Sequence, residues 1–164
     1  MIIISYSAAS TFDTINITHY SITSNGKVLT RTTQGSWEEG VFLNTNIAQT
    51  QVYRFRLLKC GGSNLMVGVA PDTPHFTEQV FAKSFCYDPP SGRRYEKNIL
   101  SQGTQTLQGQ EFTVSVDLSN KKVSFTRDGQ NLVSPFSFAE YGDMQKLRPI
   151  VQMAYKDDSV EILS

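Results

Sequence analysis

Phe112-Thr113-Val114-Ser115-Val116-Asp117-Leu118, Ser119-Asn120-Lys121, Lys122-Val123-Ser124-Phe125-Thr126-Arg127, Asp128-Gly129 and Gln130-Asn131-Leu132-Val133-Ser134-Pro135-Phe136 follow one another without a break. Phe112, Val114, Val116 and Leu118 alternate with Thr113, Ser115 and Asp117, a period of two that turns one face to a core and the other to polar surroundings. Ser119-Asn120-Lys121 supplies a tight reversal. Asp128-Gly129 suits a type I′ turn, whose two central residues need φ > 0. Three antiparallel strands and two turns are predicted from this stretch alone.

The same signals continue outward. Ile15 to Thr18 alternates and leads to His19 and Tyr20; Lys27 to Thr30 follows the turn pair Asn25-Gly26; Val41 to Leu43 follows Gly40. Tyr53, Phe55 and Leu57 alternate with Arg54 and Arg56. Gly61-Gly62-Ser63-Asn64 then turns the chain into Leu65 to Ala70, which is apolar on both sides, as in a strand covered on two faces. Ser84 to Tyr87, Ile150 to Tyr155 and Val160 to Leu163 complete the set. The best helical candidate, Ala139 to Gln145, is interrupted by Gly142 and holds one turn at most. Roughly a dozen short strands, with turn signals about every 8–12 residues, predict an all-β, antiparallel two-sheet sandwich. Residues 1–14 read as an N-terminal strand (Met1 to Ile4) and a Ser/Thr-rich lead-in, and 15–164 as one sandwich domain. Two connections, Pro71 to Lys83 and Asp88 to Gln110, are long for such a domain, and long loops usually carry function.

Composition narrows the function. The 15 Lys plus Arg balance the 15 Asp plus Glu, so nothing steers the chain toward nucleic acid or anionic lipid. The close basic pairs, Arg93-Arg94 and Lys121-Lys122, fall on or beside predicted turns. No apolar run approaches the ~20 residues of a membrane span. Without a secretion signal a reducing, cytoplasmic setting is expected, with Cys60 and Cys86 as free thiols; paired, they would contribute about 3 kcal/mol.

Several pieces resemble a known family. Val52 to Leu58, Gly61-Gly62 and Met66-Val67-Gly68-Val69-Ala70 are similar to the "YWEV-x(n)-GG-x(n)-VGVA" core of SPRY (B30.2-like) domains. Lys83 to Asp88 resembles the strand that follows. Val116-Asp117-Leu118 with Val123 to Gly129 resembles the "LD-x(n)-G-x-L-S-F-Y-x-N-G" hairpin, and Arg148 to Val151 the "L-x-P-x-V" strand. The resemblance spans about Tyr53 to Leu163. It departs from the pattern at Phe55, Phe112-Thr113 and Thr126, and PRY signatures are not apparent before residue 50. It implies a concanavalin A-like, SPRY-type jelly-roll sandwich. It also implies a non-catalytic module that binds a protein or short peptide, as a recruiting or scaffold domain of a larger multiprotein assembly. It implies no cofactor.

Chemistry is otherwise sparse. His19 reads as a strand residue, and His75 as a loop contact. A G-x-S-x-G elbow is missing, and Cys60, His75 and Cys86 lack metal-site spacing. Glu38-Glu39 and Asp157-Asp158 are adjacent pairs whose members point to opposite faces of an extended backbone, and both read as solvated loop charge. They do not form the flanking carboxylates of a glycosidase. Gly61-Gly62 lacks the Lys-Ser/Thr and helix of a phosphate cradle. A carbohydrate-binding, lectin-like reading is the alternative, with Trp37 beside Glu38-Glu39 as a stacking platform. For a protein partner the expected contacts are aromatic and Arg anchors on the two long connections. These are Pro74, His75 and Phe76 on the first and Tyr87, Arg93, Arg94 and Tyr95 on the second, with Ser134 and Tyr141 nearby.

Overall fold

The computed structural model describes residues 10–14, 17–35, 39–44, 51–62, 64–71, 84–138 and 147–163. These contain β1 (Tyr20–Thr23), β2 (Val28–Arg31), β3 (Val41–Phe42), β4 (Gln51–Lys59), β5 (Leu65–Pro71), β6 (Phe85–Asp88) and β7 (Arg93–Glu96). The chain continues through β8 (Ile99–Gln102), β9 (Glu111–Asp117), β10 (Lys122–Arg127), β11 (Gln130–Asn131), β12 (Phe136–Ser137), β13 (Leu147–Met153) and β14 (Ser159–Ile162). One sheet runs β1-β2-β14-β4-β9-β10-β11, with β12 also on β10; the other runs β3-β13-β5-β6-β7-β8. All pairs are antiparallel, which gives the expected two-sheet sandwich. Among the described residues none forms a helix long and apolar enough to cross a membrane.

The alternation in β9 holds position by position: Phe112, Val114 and Val116 are buried and their neighbours half-buried. Asp117 closes the following reversal, accepting the Asn120 backbone N–H at 3.0 Å and its side-chain amide at 2.7 Å. Asp128 and Gly129 sit at φ 51° and 76°, the left-handed pair of a type I′ turn. The predicted third strand is divided. β11 and β12 each pair with β10, while Leu132 and Val133 between them turn into the core.

Between the sheets the inward side chains form an aromatic chain. Phe55 stacks on Phe112 at 5.6 Å, and Tyr87 from the opposite sheet meets Phe112 at 5.7 Å and Phe125 at 5.4 Å. Phe136 continues it, 5.8 Å from Phe125 and 5.5 Å from Phe85. Such pairs add to the burial of large apolar surfaces. β5 is apolar on both sides because its sheet carries a second buried layer on its outer face: Phe42, Met66, Ala70, Cys86 and Ile150.

Three expectations need correction. Asp88 to Gln110 is not one long loop; it folds into the β7–β8 hairpin at the sheet edge, then returns. Ile17, Thr18 and His19 precede β1 rather than extend it. Glu39 accepts the Thr18 and His19 backbone N–H groups at 2.9 and 3.2 Å and the Thr18 hydroxyl at 3.1 Å, so a carboxylate satisfies donors a ladder would otherwise take. Glu39 and Asp158 are buried and hydrogen-bonded, not solvated, although Asp157 beside Asp158 is exposed as the alternation requires. The predicted strand Met1 to Ile4, the turn at Ala139 to Gln145, Ile15-Asn16, Glu38 and most of Pro71 to Lys83 lie outside the described residues.

Candidate functional site

The β7–β8 hairpin is built on a short, constrained base. Gly92 (φ 75°) donates its N–H to Asp88 O at 2.8 Å, and its own carbonyl accepts the Gly103 N–H at 2.8 Å. A Cβ at Gly92 would lie 2.8 Å from Gly103 O, so only glycine fits where the hairpin's two legs cross. At the tip Lys97 and Asn98 occupy φ 45° and 75°, a second type I′ turn. Below, Thr104 donates its N–H to Leu132 O at 2.7 Å and Thr106 to Pro89 O at 2.8 Å, tying the returning segment to both sheets.

Arg94 and Ser134 meet at this base. The Arg94 Nε–H donates to Ser134 O at 2.8 Å and Nη2 to Pro135 O at 3.2 Å, while Nη1 pairs with Glu96 at 3.2 Å. Its guanidinium lies 3.9 Å from the centre of the Phe136 ring. Arg94 is thus a planar clamp between sheets, its fork filled by protein acceptors. Arg93 points the opposite way and is exposed. Tyr95, half-buried, packs against the outer-face layer. Tyr87 is corrected outright: it is fully buried, its hydroxyl donating to Thr104 O at 2.6 Å and bonding Thr106 Oγ1 at 3.0 Å. A tyrosine on β6 alternates inward, so it serves the core and not a rim. Pro74, His75, Phe76, Tyr141 and Trp37 lie outside the described residues.

Sequence reasoning missed Ile99 and Leu100, 62% and 55% exposed on β8 and paired with Glu96 and Tyr95 of β7. The usable signal was Lys97-Asn98, since a turn-forming Asn between two short runs marks a hairpin.

Nucleophilic chemistry is not set up by the cysteines. Both are free, and burial pushes the Cys60 and Cys86 thiols up, away from the thiolate. Among the described residues no three His, Cys, Asp or Glu side chains are grouped to hold a metal ion. Two carboxylates flank the β4–β5 turn: Asp158 accepts the Gly61 N–H at 2.6 Å and Asp88 the Asn64 N–H at 2.9 Å. Each has a second oxygen buried without a hydrogen bond. Desolvation raises Asp88 and pushes Asp158 up to about 6, the neighbouring Asp88 and Asp157 charges adding to it and the Gly61 N–H opposing it. A carboxyl whose folded pKa exceeds its unfolded value costs stability above pH 6, and that cost is relieved as pH falls toward 3.8. After solvent screening the effect is on the order of 1–2 kcal/mol. Asp158→Asn keeps an acceptor for Gly61 but no titration. Between about pH 7.5 and 4.5 the wild-type melting temperature should therefore gain roughly 3–6 °C relative to this variant. Parallel pH profiles of the two proteins would exclude the assignment.

Neither a protein-family model nor a curated protein sequence matches the chain. Solved structures do match. The chain is similar to the SPRY domain of human HERC1, with TM-score 0.69, 22% identity, 93% of this chain and 97% of that chain covered. It is also similar to the TRIM65 PSpry domain, with TM-score 0.75, 13% identity and coverage of 96% and 90%. The fold is the SPRY fold. Stonustoxin contains a similar unit, with TM-score 0.68, 13% identity, and 96% of this chain but 27% of that one covered. Within the SPRY fold, Gly61-Gly62 forms the β4–β5 turn and Val67 to Ala70 lies in β5, between β13 and β6. The hairpin resemblance falls on β9 and β10.

Proposed function

We propose that this domain is a non-catalytic protein-interaction module that recognises a peptide or protein partner at one edge of the sandwich and serves a cytoplasmic assembly as a recruiting or scaffold unit. One observation carries the reading. An exposed Arg93, a half-buried Tyr95 and the exposed Leu100 share one face of a hairpin, with the exposed Ile99 on its other face, and the hairpin's base is pinned by Arg94, Ser134 and Gly92. Arg and aromatic anchors on a rigid frame lose little entropy when they dock. The SPRY fold supports the same class of function by likeness. Pro74, His75, Phe76 and Tyr141 are proposed as further contacts.

Affinity capture from the native cell with mass spectrometry tests it, repeated with Arg93→Ala and Phe76→Ala. A true anchor should weaken the captured partner by about 2 kcal/mol, roughly thirty-fold in Kd. Unchanged affinity in folded variants would remove the patch. Saturable binding on a glycan array that is lost with Trp37→Ala would replace this reading with the lectin-like one.

A further inference from the structure

Among the described residues β8 ends its sheet, an edge strand whose own sequence carries no guards. All four of its residues, Ile99-Leu100-Ser101-Gln102, are exposed, and they include no proline, no charge and no register shift. Edges are normally protected from pairing by lysine, proline or a bulge. The type I′ turn at Lys97-Asn98 settles which backbone groups are open. Across a two-residue turn the flanking residues, Glu96 and Ile99, exchange hydrogen bonds, and bonded and non-bonded pairs then alternate. Ile99 and Ser101 therefore direct N–H and C=O at β7, whereas Leu100 and Gln102 direct theirs outward. Among the described residues no backbone group bonds these outward ones.

Side chains beside this edge are sorted by face. Cross-strand neighbours share a face, so Leu100 stands beside Tyr95, and Gln102 beside Arg93, on the outer side of the sheet. Tyr95 leads from Leu100 into the buried layer of Cys86 and Met66, so the apolar surface is continuous up to the open edge. The Arg93 guanidinium is exposed; its charge acts on the Asp88 carboxyl opposite, but that group is buried and takes its hydrogen bond from the Asn64 N–H, which leaves the guanidinium open to solvent. An added strand would lie two strand spacings from β7, about 9.6 Å, a gap that an arginine and a glutamate side chain span together.

We propose that β8 accepts an extended segment of a protein partner as an added antiparallel strand with the core Glu-x-Φ-Φ, where Φ is an apolar residue. The two apolar residues face Leu100 and Ile99, and the glutamate lies opposite Gln102, within reach of Arg93. Main-chain bonds supply affinity and the alternate side chains supply selection. The proposal rests on reading the domain as a protein-interaction module. A second copy of this chain fits less well, because β8 carries no carboxylate to set within reach of Arg93.

The probe is a capped ten-residue peptide with Glu-Thr-Val-Ile at its centre, titrated into the protein and followed by backbone amide NMR. Saturable shifts and slowed exchange are expected at Leu100 and Gln102. N-methylation at the peptide's Glu and Val, whose N–H groups face β8 in this register, should weaken binding at least roughly tenfold. Methylation at Thr and Ile, which face away, should change it little. Peptide Glu→Lys and protein Arg93→Ala should each weaken binding roughly tenfold and not add to one another. Leu100→Pro removes one outward N–H without taking a bond from β7, so it should melt like the wild type and bind at least roughly tenfold more weakly. Equal loss from both methylation patterns, or no saturation by about 2 mM peptide, would overturn the proposal. Self-association abolished by Leu100→Pro would overturn it in favour of a second copy. If Arg93→Ala loses the cellular partner while Leu100→Pro keeps it, the interaction module stands and strand addition fails.

Discussion

Phe136→Ala is expected to lower stability by about 3–5 kcal/mol, the range for truncating a fully buried aromatic. For a domain of this size that corresponds to a fall in melting temperature of roughly 8–16 °C. The ring is fully buried and joins both halves of the core, packed against Phe125 of one sheet and Phe85 of the other. Its loss leaves a cavity bordered by rigid aromatics that cannot collapse into it. It also removes the surface on which Arg94 lies, so a second consequence follows at the hairpin base. Arg94→Ala alone should cost about 1–2 kcal/mol, from cation–π contact and hydrogen bonds to Ser134 and Pro135. In a double-mutant cycle the two changes should couple by at least about 0.5 kcal/mol. Thermal and denaturant melts of the four proteins check this, and strict additivity would mean that Arg94 is not held by the ring.

Gly68→Ala is the second large effect, and it arises from backbone proximity rather than a lost side chain. Gly68 pairs with Cys86 where β5 runs beside β6. An added Cβ would strike the Phe85 carbonyl oxygen and stand 2.6 Å from Cys86 Cβ and 2.7 Å from its Cα. Backbone atoms in a paired ladder cannot rotate aside, so the strands must separate and their hydrogen bonds lengthen. Overpacking in a tight core costs about 1–3 kcal/mol and more when backbone must move; about 3 kcal/mol, or roughly 6–12 °C, is expected here. Cys86→Ala does not relieve the clash with Phe85 O, so the double variant should recover only part of the loss. A Gly68→Ala protein that melts within about 2 °C of wild type would show that β5 and β6 can separate at little cost.

The legible parts of this fold were the strands with one or two apolar faces. Phe112 to Asp117, Tyr53 to Leu57 and Leu65 to Ala70 announce themselves because a period of two, or an unbroken apolar run, is a local property of the chain. β7 and β8 gave no such sign. Arg93-Arg94-Tyr95-Glu96 holds three charges in four positions, and Ile99-Leu100-Ser101-Gln102 sets apolar beside apolar and polar beside polar. β8, exposed on both faces, has no reason to alternate, and β7 fills half-buried positions with the paired charges of Arg94 and Glu96. Its pairing is dictated by the type I′ turn and by β6, which lies next to it only once the sheet has formed. The candidate surface divided in the same way. Arg93 and Ser134 could be named from residue type and loop position, and both are exposed, but the same reasoning placed Tyr87 at the rim because its facing on β6 was not yet known.

Local pattern and turn chemistry were enough to establish an all-β chain and the placing of its principal strands, since alternation and φ > 0 turns are written within a few residues. Tertiary assembly alone decided that Asp88 and Asp158 are buried and that Arg94 stacks on Phe136. It also left β8 at the end of its sheet with two residues facing outward. Burial of a charge and openness of an edge depend on which distant strands arrive beside a residue, and no spacing along the chain encodes that arrival.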